Sequence, residues 1–65
     1  MTTFRIEVRK GEHADWLHYE VTQNSVQNVR HYVRLIRTAY PDYWVRAIDA
    51  ISGEIIALIE ARLTH

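Results

Sequence analysis

GEIIALIEA, residues 53–61, fits either a strand or a helix, and the architecture of the chain turns on which it is. Its aliphatic run from Ile55 to Ile59 suits a short strand, yet Glu54 to Leu63 also holds good helix formers on a tolerable amphipathic arc. The segment just before it favours the strand. DAISGE, residues 49–54, resembles a type I turn followed by a glycine in the left-handed region, a common hairpin closure. YWVRAI, residues 43–48, is rich in aromatic and β-branched side chains and reads as the strand leading into that turn.

Further upstream the period becomes helical. Val26, Val29, Tyr32, Val33, Ile36 and Ala39 recur at spacings of three and four and form one apolar stripe. TQNS supplies the helix start, either as a capping box between Asn24 and Gln27 or with Ser25 as the cap. Pro41 has no N–H to donate and disfavours helix at Tyr40, so the helix should stop there. Towards the N-terminus, TFRIEVR (3–9) and WLHYEV (16–21) alternate apolar and polar residues around a turn at Lys10 to His13 that includes Gly11. The first run puts Phe4, Ile6 and Val8 inward. The second is expected to put Leu17, Tyr19 and Val21 inward and Trp16, His18 and Glu20 outward. The result is an α+β fold of order ββαββ, one helix packed on a mostly antiparallel four-stranded sheet, with residues 1–65 forming one domain.

At 65 residues such a domain buries only roughly 60% of its unfolded surface. Every element must contribute to one core. Cysteine is absent, which removes disulfides and thiolate-held zinc as staples. Eight basic and eight acidic side chains cancel, arguing against both bulk-charge coating of nucleic acid and acidic mimicry of DNA. The aliphatic run at residues 55–59 is far short of the roughly 20 residues a spanning helix needs. Arg5, Glu7 and Arg9 stand where a signal peptide would carry its apolar stretch. No membrane partner and a cytoplasmic location are expected.

Seven of the eight basic residues are arginine, whose planar fork suits interfaces and phosphates. On the helix, a rotation of about 100° per residue puts Gln27, His31, Arg34 and Thr38 opposite the apolar stripe, with Arg30 and Arg37 on its shoulder. A merely solvated helix face is the plain reading of such a cluster. Against it stands the absence of acidic residues four positions away, the usual local support for helical arginines. Arg30, His31, Arg34 and Arg37 therefore form a candidate partner-binding face, with Trp16 and Trp44 as apolar contributors.

A second candidate is the outer face of the sheet, where Arg5, Arg9, Trp16, His18, Trp44 and Arg46 should meet. Its plain reading is that one tryptophan is in the core and the other lies over arginine stems. The functional readings are a single-stranded nucleic-acid platform or a homodimer in which the tryptophans pack across a two-fold axis. Catalysis is not expected. His13, His18, His31 and His65 have no ligand spacing, Gly11 and Gly53 are each explained by a turn, and a pair such as His13 and Asp15 has little backbone to wall a pocket. No metal or cofactor is expected.

The layout carried by FRIEV, WLHYEV, NSVQNV and YWVRAI resembles small phage-encoded accessory proteins, among them anti-CRISPR proteins of compact ββαββ type and the short phage inhibitor of bacterial RNA polymerase. The resemblance spans nearly the whole chain as a pattern. It implies an inhibitor that occupies the surface of a bacterial host complex, and it assigns no role to any one residue. The acidic surface that some of those proteins use to mimic DNA has no counterpart here.

Overall fold

The computed structural model of the chain describes residues 1–62. Five elements follow one another: β1 (Thr2–Arg9), β2 (Leu17–Asn24), α1 (Val26–Ala39), β3 (Trp44–Asp49) and β4 (Ile55–Ile59). They build one sheet of order β2-β1-β3-β4, antiparallel at every pairing, with α1 on one face. The ββαββ architecture is the expected one, and residues 55–59 are strand. The competing helix reading ends at Leu63, which lies outside the described residues, as does His65.

Local chemistry explains the boundaries. Ser25 is the N-cap: its hydroxyl accepts from the Asn28 N–H at 3.1 Å. Asn24 is used next to it, its carboxamide oxygen accepting from the Ser25 N–H and from Asn28 Nδ2, each at 3.0 Å. At the other end the Tyr40 N–H still donates to the Ile36 carbonyl at 2.9 Å, and Pro41 prevents another turn. In the β3–β4 connection the Gly53 N–H donates to the Asp49 carbonyl at 2.8 Å, with Gly53 at φ 77°, where an L side chain would be strained. Asp49 ties the same loop, its Oδ1 accepting from the Ile51 and Ser52 N–H groups. Those bonds, Ser52 first and Ile51 second, hold the Asp49 carboxyl below its ordinary range.

The core is formed by Phe4 and Ile6 of β1, Val29, Val33 and Ile36 of α1, and Val45 and Ala47 of β3. Tyr32, Val8, Ile56, Ala57 and Ile59 pack around it. The register explains this set: Ile6 stands opposite Ala47, which stands opposite Ala57, and Val8 opposite Val45, which stands opposite Ile59. The helix therefore lies on the Val45 and Ala47 face of β3. It packs on β4 and β3, touches β1 lightly and leaves β2 almost uncovered.

β2 departs from its expected facing. Ile6 pairs with Glu20, whereas Glu7 pairs with His18, so one extra residue is accommodated at Tyr19. Beyond this bulge the alternation is reversed. Glu20 shares the helix side with Ile6 and Val21 shares the outer side with Arg5, whereas Leu17, opposite Val8, and Tyr19, whose ring meets Tyr40 edge-on, keep their inward side. The physical reason is the position of the helix. With little of the described chain packed over β2, burial does not enforce its period, and Leu17, Tyr19 and Val21 all remain exposed.

Candidate binding surfaces

The proposed contact residues fall on two surfaces separated by the sheet. On the helix side Arg30, His31 and Arg34 are exposed, while Arg37 is half-buried with its Nε enclosed and without a hydrogen-bond partner. No residue of α1 is acidic, and among the described residues none of these four side chains takes part in an ion pair. Glu20, which β2 turns to the helix side, accepts a hydrogen bond from the Tyr32 hydroxyl and pairs with none of the four. Among the described residues the face therefore carries positive charge without an ion-pair partner, with the exposed Leu35 beside it.

On the opposite side Arg5, Arg9, Trp16, His18, Trp44 and Arg46 do share the outer surface of the sheet. Cross-strand register sets Arg9 against Trp44 and sets Glu7 against both Arg46 and His18. The Arg9 guanidinium carbon lies 4.6 Å from the centroid of the Trp16 ring and 4.6 Å from that of Trp44. The Arg46 guanidinium carbon is 4.1 Å from the Trp16 centroid. Arg46 also donates from Nε to Glu7 Oε1 at 2.8 Å, with Nη2 at 2.6 Å from the same oxygen. Each stacked contact is worth about 0.5–1 kcal/mol at a partly exposed site.

Two expectations change in consequence. Neither tryptophan is a core residue; both are half-buried over guanidinium groups, because Arg9 and Arg46 reach them from β1 and β3. Nor can Trp16 and Trp44 add apolar contact to the helix arginines on one continuous surface, since the sheet stands between them. His13 and Asp15 are exposed on the β1–β2 connection, with no hydrogen bond between them. Among the described residues no cluster of three or more potential metal ligands forms, and no helix is long and apolar enough to cross a membrane.

Sequence reading missed two features. One is the Glu20–Tyr32 bond, which exists only because the bulge turns Glu20 inward. The other is a cleft of about 240 Å³ lined by Val8, Leu17, His18, Tyr19, Tyr40 and Tyr43, with the tyrosine rings in edge contact. No local signal marks it, as its walls come from β1, β2 and the residues after α1.

The Glu20 contact pushes the Tyr32 phenol up from 10.0 to about 12, chiefly through the hydrogen bond, then through burial and the negative charge. The folded state thus holds the phenolic proton more tightly than the unfolded state does. This contribution is complete below pH 10 and is lost as pH rises through about 12. Tyr32→Phe is expected to lower the urea midpoint at pH 8, with the gap to the parent protein narrowing between pH 10 and 12. A gap independent of pH would show that the bond does not govern the titration.

Compared with protein families, with characterised proteins and with solved structures, the chain matches none.

Proposed function

We propose that this protein is a non-catalytic binding module that docks through the exposed arginine face of α1 onto an acidic surface of a partner protein. The observation that carries the reading is the combination on one helix of Arg30, His31 and Arg34, exposed and without an acidic partner among the described residues. Leaving such charges unanswered forgoes about 0.2–0.5 kcal/mol per local pair, a sacrifice that a binding surface explains and a solubilising one does not. A rigid small domain that covers a site by its bulk acts as a steric inhibitor. The resemblance to small phage-encoded inhibitors points to a bacterial host complex as the target, reached in the cytoplasm.

The second reading, a single-stranded nucleic-acid binder, draws on the six basic and aromatic residues that share the outer sheet face. It is the weaker one, because the indole rings already lie against Arg9 and Arg46 and bases would have to displace them. Affinity capture from bacterial lysate, with and without nuclease, separates the two. A stoichiometric protein partner that survives nuclease supports the helix reading. Captured material that disappears with the nucleic acid supports the sheet, which would then also show tryptophan quenching by single strands and binding that weakens steeply with salt.

A further inference from the structure

β2 is an edge of the sheet over eight residues, paired with β1 on one side only. Native edges are usually protected from self-association by lysine, proline, outward charge or a bulge. LHYEVTQN has neither lysine nor proline, its one carboxylate, Glu20, is turned to the helix side and held by Tyr32, and its bulge at Tyr19 leaves residues 20–24 regular. Leu17 and Val21 remain 59% and 53% exposed. The opposite edge is different. β4 has five residues bracketed by Glu54 and Glu60, and the register with β3 leaves an extra residue at Ile56, a bulge within this short edge.

The geometry of self-pairing at β2 is restrictive. Two identical antiparallel edges are related by a two-fold axis perpendicular to the sheet, which keeps each side chain on its own face. A residue can then stand opposite only residues of its own face, so the axis must pass where one residue meets its own copy. At Tyr19 the bulge breaks the alternation, and at Glu20 two carboxylates would face each other. An axis at Thr22 or Gln23 would set each exposed Val21 against a polar Gln23 or Ser25. At Val21 the pairing is favourable. The two valines meet on the outer face, and each Glu20 stands opposite the partner's Thr22, whose hydroxyl can donate to it.

We propose that the protein is a homodimer in which β2 pairs antiparallel with β2 of a second copy about Val21, joining two four-stranded sheets into one. Its own strand fits the edge better than an arbitrary segment does, because this register sets no like charges opposite each other and covers the exposed valine with itself. It also adds buried area to a domain with no disulfide to reinforce it.

The native chain has no cysteine, so a single introduced one reports without interference. Sedimentation equilibrium at micromolar concentration is expected to show a dimer for the parent and a monomer with unchanged helical signal for Val21→Lys. Under mild oxidation Val21→Cys should cross-link rapidly, whereas Leu58→Cys, exposed on β4, should not. A monomeric parent whose β2 amides exchange quickly would overturn the proposal and leave the edge open to another chain. A dimer in which Val21→Cys fails to cross-link would overturn it as well, by placing the interface elsewhere. Should Val21→Lys not fold, the cross-linking result alone decides.

Discussion

Phe4→Ala is expected to leave most of the chain unfolded in dilute buffer at 25 °C, with no cooperative urea transition by circular dichroism. Phe4 is wholly buried on the interior strand β1, in one core cluster with Ile6 and with Val29 and Val33 of the helix. Truncating a buried phenylalanine costs about 3–5 kcal/mol, part of it lost transfer energy and part the cavity left behind. In a domain of this length a single core rarely supplies more than about 3–5 kcal/mol in total. Val26→Ala is the control: Val26 belongs to the same helical stripe but is exposed, and a change of about 0.5 kcal/mol or less is expected there. If Phe4→Ala unfolds at the same urea concentration as the parent, the core is not centred where the structure puts it.

The other large effect concerns binding. Reversing two charges, Arg30→Glu with Arg34→Glu, is expected to abolish recovery of the partner captured by the parent protein. Each reversal replaces an attraction to an acidic surface by a repulsion; at about 2 kcal/mol apiece the pair amounts to roughly a thousandfold in Kd. Both side chains are exposed and make no ion pair among the described residues, so the fold should be retained with a urea midpoint no lower than the parent's. Arg37 is left in place because its stem is packed and its Nε enclosed. Arg9→Ala on the far face should disturb tryptophan fluorescence without changing capture. Undiminished capture by the helix variant would remove α1 from the mechanism.

Much of the fold is legible in the sequence because its determinants are local. Alternation in FRIEV and in WVRAI, the three-and-four spacing from Val26 to Ile36, the stop at Pro41 and the glycine of the second hairpin each act within a few residues. The shared outer face of Arg5, Arg9, Trp44 and Arg46 follows from the same alternation. What resisted reading was non-local. The bulge at Tyr19 is defined only against β1, so the sidedness of Glu20 and Val21 was inverted. The stacking of Arg9 on Trp44, and the pairing of Glu7 with Arg46, depend on β1 lying next to β3. The two candidate surfaces were each recognisable as residue sets. Their placement on opposite sides of the sheet was not, because it depends on which face of β3 receives the helix.

The adjacency of β1 and β3 also constrains when the molecule can form. β1 is an interior strand whose two neighbours lie on either side of the helix in the chain, and the contact from Glu7 to Arg46 spans 39 positions. During synthesis the first hairpin and the helix emerge while one side of β1 is still without a partner. Their apolar faces, Phe4 and Ile6 on one and Val29 and Val33 on the other, meet in a complete core only after Val45 and Ala47 have been made. The nascent protein therefore gains its structure late and in a single step, and any truncation before Ala47 should yield a chain that proteases degrade rather than a smaller stable fragment.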